Sequence, residues 1–152
     1  MNGAAPGAQA LAEAVREHMY ARDHAAQAHG IAVEAIGFGV ARCRMVVRQD
    51  MVNGHATCHG GVTFTLADTA FAYACNACNR ATVAQGAEIS FIAPARLGEV
   101  LIASARERSR SGRIGVYDVE VAKVDGTLVA LFRGTSYETR EAVLAAGQGP
   151  EA

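Results

Sequence analysis

Between about Ala8 and Gly30, apolar residues recur at helical spacing. Leu11, Val15 and Met19 fall on one side and Glu13, Arg16, Glu17 and Arg22 on the other, which predicts a helix packed by a single stripe. From Ile31 the period shortens. Ile31, Val33, Ile36, Phe38 and Val40 lead into Arg42 and Arg44 alternating with Cys43 and Met45, then Val46 and Val47, and predict one long strand over 31–48. After a loop rich in turn formers, residues 62–79 are apolar almost all round and predict a helix buried on most of its surface, with alanines that let other backbone approach closely. Strands follow over roughly 82–93, 100–110, 113–124 and 127–138. Ser111-Gly112 and Asp125-Gly126 read as two-residue hairpin turns, and Pro94 to Gly98 as a short link.

Strands joined by tight turns are antiparallel, and no helix separates them, so a doubly wound or barrel α/β fold is excluded. The economical arrangement is α+β: a curved antiparallel sheet wrapped around the long central helix, with an extra N-terminal helix. Residues 1–152 form a single domain in this reading, with an ordered core over about 8–140. The first seven residues and the stretch 142–152 lack periodicity and are expected to fray.

Composition narrows the setting. At 152 residues and 51% hydrophobic side chains the chain supports one real core. A net charge of -1 with dispersed Lys and Arg excludes the footprint of a general nucleic-acid binder. Neither an export signal nor a membrane-length apolar run (~18 residues) is legible, so a cytoplasmic protein without a membrane partner is expected. In that setting Cys43, Cys58, Cys75 and Cys78 are read as reduced thiols.

Candidate chemistry collects around the loop at residues 50–61 and the helix after it. Asp68 is out of place on an apolar helix, and a buried carboxylate is costly unless it is paired or functional; an ordinary helix Asp facing water or an ion-pair partner is the bland alternative. Gly60 and Gly61 stand where the helix begins, so unpaired backbone N–H groups can converge on a developing oxyanion with the helix dipole behind them. A Gly pair alone is equally a flexible turn, and gains weight only with Asp68 downstream. His59 can polarise a carbonyl or hold the loop, and Asn53 can place a water through its amide or brace the same loop.

Cys75 and Cys78 form a Cys-x-x-Cys pair, with His55, Cys58 and His59 upstream. The pair lies in an apolar helical pattern and the spacing matches no usual zinc site, so no metal is expected. A thioredoxin-type role fails for want of a βαβ pattern. Arg106, Arg108, Arg110 and Arg113 bracket a hairpin; alternating arginines can share one face and meet phosphates, or simply form a solvated face.

The run Asn53-Gly54-His55-Ala56-Thr57-Cys58-His59-Gly60-Gly61, continued by Phe64 to Asn76 with Asp68 inside it, closely resembles the phenylacetic-acid-degradation thioesterases, the PaaI type of hotdog enzyme. Ile89-Ser90-Phe91 with Pro94 and Gly98, then Gly115-Val116-Tyr117-Asp118, then Val129 to Ser136 agree in order, so the resemblance spans roughly residues 10–139. It implies a hotdog fold, a homodimer with a continuous sheet and active sites at the subunit interface, and usually a homotetramer. It also implies an acyl-CoA substrate, phenylacetyl-CoA or a ring-hydroxylated relative. Gly60 would polarise the carbonyl, Asp68 would come from the partner chain, and Asn53 and His59 would hold water and carbonyl. Gly61, Arg108, Arg110 and Arg113 are the candidate substrate contacts.

Thioester hydrolysis needs an activated water or a nucleophile and polarisation of one oxygen; a carboxylate plus backbone donors suffices, so no cofactor is expected. Asp68 acts as general base or, through an acyl-aspartyl intermediate, as nucleophile. A hotdog enoyl-CoA hydratase or dehydratase, or a non-catalytic acyl-CoA sensor, is the alternative.

Overall fold

The computed structural model describes residues 6–150. The chain begins with α1 (Pro6–Tyr20) and α2 (His24–Ala28), continues through β1 (Ala32–Gly37) and β2 (Val40–Val46) and a 3-10 turn (Gln49–Met51), and enters the long helix α3 (Gly60–Asn76). It finishes with β3 (Thr82–Phe91), β4 (Val100–Ser111), β5 (Ile114–Lys123) and β6 (Leu128–Glu138).

The six strands form one antiparallel sheet in the order β1-β2-β4-β5-β6-β3. Inward positions alternate as a pleated strand requires: Ala41, Cys43 and Met45 on β2; Leu101, Ala103 and Ala105 on β4; Tyr117, Val119 and Val121 on β5; Ala130 and Phe132 on β6 are all buried. Several of these are alanines, which leaves room for α3 to lie against the concave face. Gly134 does the same for one ring: a Cβ there would sit 2.8 Å from Phe71. Phe71 then packs edge-on to Tyr117 at 5.4 Å and tilted on Phe132 at 5.8 Å, contacts that add to the area term of an aromatic core.

Four details depart from the sequence reading. The predicted first helix is two, because the chain breaks at Ala21-Arg22 and Asp23 restarts it by accepting the Ala26 N–H at 3.0 Å. The predicted strand over 31–48 is a hairpin: Gly37 pairs with Val40 and Gly39 takes φ +72 at the turn. The β4–β5 turn is Gly112-Arg113, since Ser111 pairs with Ile114, and the β5–β6 loop is the three residues 124–126, closed by Lys123 N–H to Thr127 O at 2.9 Å with Gly126 at φ +90. Finally, β3 does not lie beside β4. It crosses to the far edge of the sheet and pairs with β6.

The C-terminal stretch, expected to fray beyond 140, is pinned as far as Leu144. Asn79 ends the α3 region in the left-handed conformation, φ 62, and its Oδ1 accepts the Leu144 N–H at 2.7 Å. Leu144 itself is buried, and Ala81 N–H donates to Glu141 O at 3.0 Å. At the other end Gly7, also expected to fray, lies within α1; residues 1–5 and 151–152 of the two frayed stretches lie outside the described residues. Among the described residues no helix is long and apolar enough to cross a membrane.

Candidate active site

The loop before α3 is braced from within. Asn53 Oδ1 accepts the backbone N–H of His55 at 2.9 Å, that of Thr57 at 3.3 Å and the Thr57 hydroxyl at 3.2 Å, an Asx-type turn that also holds Ala56 at φ 58. Main-chain bonds anchor the far side, with Cys58 N–H donating to Ala95 O at 2.7 Å and His59 N–H to Met51 O at 2.8 Å. The Asn53 carbonyl oxygen is therefore committed to the loop, and only its amide NH2 is left to reach a water.

His59 caps α3. Its Nδ1 accepts the Gly61 N–H at 3.1 Å, which places the proton of the neutral ring on the exposed Nε2. The same bond removes Gly61 N–H from the donors at the helix start. The Gly60 N–H meets no acceptor among the described residues and lies at the positive end of a 17-residue helix. The two glycines are thus unequal: the Gly60 N–H is free, and the Gly61 N–H is taken by the His59 ring. The Phe91 ring lies over Gly60, so close that a Cβ there would sit 2.9 Å from Cζ. Nothing in the spacing of the sequence pointed to that contact.

Asp68 is half-buried rather than enclosed. It shares an outward stripe of α3 with Gly61, Thr65 and Ala72, while Leu66, Ala67 and Ala70 face the core. Thr65 and Thr69 turn their hydroxyls back onto Gly61 O and Thr65 O. No cation or hydrogen-bond donor pairs with the Asp68 carboxylate among the described residues, and loss of water together with the nearby negative charge of Asp23 raises its pKa above the usual carboxylate range. The carboxylate lines a groove of about 440 Å³ bounded by Met19, Phe71, Ala72, Val83 and Val143. A larger cavity of about 540 Å³ lies away from it, on the outer face of the sheet among Arg42, Arg106, Arg108, Asp118 and Glu120.

The arginines do not form one phosphate-facing row. A bulge between Glu107 and Ser109 breaks the alternation of β4. Arg108 Nε pairs outward with Asp118 at 3.5 Å. Arg110 turns the other way, donating to the hydroxyl of the fully buried Tyr117 at 2.9 Å and pairing with Glu107 at 3.0 Å and Glu138 at 2.8 Å. Arg113 donates to the Tyr137 hydroxyl at 3.5 Å. The four cysteines are free thiols; burial pushes Cys75 up to about 12, and among the described residues no three His, Cys, Asp or Glu side chains converge on a metal position.

Asp23, Met19 and Val143, which sequence reasoning passed over as site residues, lie in the helix break, on α1 and in the terminal stretch; their nearness to Asp68 is purely tertiary and had no local signal.

A family model described as the thioesterase superfamily matches residues 55–130, the loop, α3 and the strands through the start of β6. The chain is 45% identical over 119 residues to the acyl-coenzyme A thioesterase PaaI of Escherichia coli, 78% of this chain and 85% of that protein. It is 33% identical to a putative esterase of Archaeoglobus fulgidus, over 86% of this chain and 85% of the other. The solved structure of the E. coli PaaI protein from the phenylacetic acid degradation operon superposes with a TM-score of 0.83 at 41% identity, covering 87% of this chain and 98% of that one. Extended likeness in both sequence and architecture leads to one assignment: the chain belongs to the thioesterase superfamily, as a hotdog-fold thioester hydrolase of the PaaI type.

Proposed function

We propose that the protein hydrolyses an aryl-acetyl thioester of coenzyme A, phenylacetyl-CoA or a ring-hydroxylated relative, at a site shared by two subunits. The observation that carries the two-subunit reading is the spacing of Gly60 and Asp68. Eight residues of helix put them about 12 Å apart along the axis, too far for one chain to polarise a carbonyl and deliver water to the same carbon. A second copy running antiparallel beside the first brings its Asp68 to the unpaired Gly60 N–H.

The surface for such pairing is the edge strand β3. It is ten residues long and its main-chain edge is open, with Val83 54% and Phe91 57% exposed. Long apolar edges of this kind are otherwise an aggregation liability, and pairing with a second copy removes it. A homodimer is the assembly this reading requires, and a homotetramer built from two such dimers is part of the same proposal. A cytoplasmic location is part of the same proposal.

In the shared site the thioester oxygen accepts the Gly60 N–H. Asp68 of the partner subunit takes a proton from water as its oxygen bonds to the carbonyl carbon; the tetrahedral intermediate collapses, the C–S bond breaks, and the thiolate of CoA leaves. Direct attack by the carboxylate, followed by hydrolysis of the acyl-aspartyl anhydride, uses the same atoms. His59 holds the first turn of α3 in place and Asn53 keeps the loop in register, its free amide available to the water. A carboxylate lifted by desolvation is a better base at neutral pH than an ordinary one.

The test is release of free thiol from phenylacetyl-CoA and 3-hydroxyphenylacetyl-CoA by the purified protein. Hydrolysis of either supports the reading. Turnover of an enoyl-CoA without thiol release replaces it with a hydratase, and stoichiometric binding of acyl-CoA without turnover replaces it with a sensor.

A further inference from the structure

We propose that Met19 of α1 and Val143 of the C-terminal stretch, which line the groove beside Asp68, together set the size of the acyl group that the shared site accepts. This rests on the thioesterase reading above and adds to it the residues that discriminate substrates. Both wall residues lie outside the 55–130 stretch matched by the family model.

The groove's volume, about 440 Å³, falls in the range of small-ligand sites. Its chemistry fits an uncharged hydrocarbon. Asp68 is the one charged residue on the wall, and the polar neighbours have turned their donors inward. Asn76 Nδ2 donates to Ala72 O and Thr82 O, both at 2.9 Å, and its Oδ1 accepts the Thr82 N–H at 2.9 Å. The Thr82 hydroxyl donates to Arg80 O at 2.7 Å, and the Cys75 thiol to Ala72 O at 3.4 Å. The rest of the lining is apolar, with Phe71, Val83, Met19 and Val143 as its larger side chains and Ala72, Ala81 and Ala84 between them. A thioester whose carbonyl is at the carboxylate lays its acyl group along this wall.

Val143 is not a loose residue that happens to touch the groove. The next residue, Leu144, is buried and tied to Asn79, and Glu141 O accepts the Ala81 N–H, so the segment is fastened on both sides of Val143 to the turn that leaves α3. Met19 follows Val15 by one turn of α1, and Val15 is fully buried, so the helix is seated and Met19 is held at the groove. A flexible thioether there adapts to acyl shape.

The experiment compares kcat/KM for acetyl-CoA, phenylacetyl-CoA and a bulkier naphthylacetyl-CoA in wild type, Val143→Phe and Met19→Ala. Filling the groove with Val143→Phe is expected to lower the phenylacetyl-to-acetyl ratio roughly ten-fold or more, the range set by small volume changes in an apolar pocket. Met19→Ala should shift the ratio of naphthylacetyl to phenylacetyl upward. Both variants keep Gly60 and Asp68 themselves, and Val143 is only part-buried, so folded protein is expected; thermal melts verify it. If both variants leave all three ratios within two-fold of wild type, the acyl group lies elsewhere and the inference falls while the thioesterase reading stands. Absence of hydrolysis of every acyl-CoA by wild type overturns both together.

Discussion

Two carboxylate regions of this protein face opposite fates. At one end of β4 and β5, Glu107 and Glu138 share Arg110, and the Tyr117 hydroxyl donates to Glu107; burial, with that bond, keeps the phenol protonated. On α3, Asp68 is half-buried and has none of this. The first cluster contains enough donors to satisfy its charges, so it holds strands together and has no reactivity left over. Asp68 is kept short of partners, so its carboxylate is raised in energy and free to take a proton. Charge alone therefore does not mark the candidate site here; what sets α3 apart is that its carboxylate and, about two turns earlier, the Gly60 N–H are both without partners among the described residues.

The comparison breaks first at Asp68. Asp68→Asn keeps the shape and removes the base, and is expected to lower kcat for phenylacetyl-CoA by about a thousand-fold or more, the scale of losing an acid-base or nucleophilic group. Circular dichroism should be unchanged. Wild-type kcat/KM should also fall on the acid side, with a midpoint above the ordinary carboxylate range, because the base must be ionised and its pKa is raised. Retention of more than a tenth of the wild-type rate by Asp68→Asn removes Asp68 from the chemistry.

Next in size is a restoration. Asp68→Asn and Gly60→Val should each be inactive, but co-expressed they form mixed dimers in which one of the two sites is intact. With random pairing, about a quarter of wild-type activity returns in the mixture. If Gly60 and Asp68 served within one chain, mixing would restore nothing.

How much of this was visible in the sequence differs by residue. Helix α3 was legible because its apolar pattern continues past a full turn on all sides, and Asp68 stood out against it. Gly60 was legible from its place at the helix start, but its difference from Gly61 was not, since that depends on the rotamer of His59. The β1–β2 hairpin was missed because Gly37-Phe38-Gly39 sits inside an apolar alternation that continues on both sides. That Arg108 and Arg110 take opposite faces was not legible, because one bulged residue reverses the pleat and has no sequence signature. The pairing of β3 with β6, and the meeting of residues 19, 68 and 143, are long-range outcomes of packing that no local period contains.

A smaller effect is expected at Asn53. Asn53→Ala removes the acceptor of three bonds and should loosen the loop that positions Gly60. A loss of about ten- to a hundred-fold in kcat/KM is expected, the scale on which misplacement from a supporting residue acts. Asn53→Asp, which keeps the acceptor oxygen, should recover most of it if bracing is the main role and little if the free amide is what holds the water.

The paired region should answer in the opposite currency. Arg110→Ala is expected to cost about 1–3 kcal/mol of stability by leaving the Tyr117 hydroxyl and two carboxylates short of a donor, while kcat/KM per folded molecule stays within about two-fold. Urea melts and thiol-release assays on the same preparations measure both. A large rise in KM for the CoA ester with stability intact would instead make Arg110 a contact of the substrate.

The smallest effect is the most discriminating one about Asp68 itself. Its pKa is raised in the folded protein, so ionisation costs the native state more than the unfolded chain, where the value is near 3.9. The wild type is therefore at its best, as far as this group goes, below the unfolded pKa, and loses that stability as pH rises through the folded value. Asparagine carries no charge to desolvate. Asp68→Asn should accordingly be slightly more stable than wild type at pH 7, by about 0.5 kcal/mol or less as expected of a part-exposed position, and the gap should close as pH falls toward 4. Equilibrium unfolding at matched protein concentration across that range reads the sign. A variant less stable than wild type at pH 7 would mean that the carboxylate has a favourable partner across the subunit interface, and Asp68 would then belong with Glu107 and Glu138 as a structural charge.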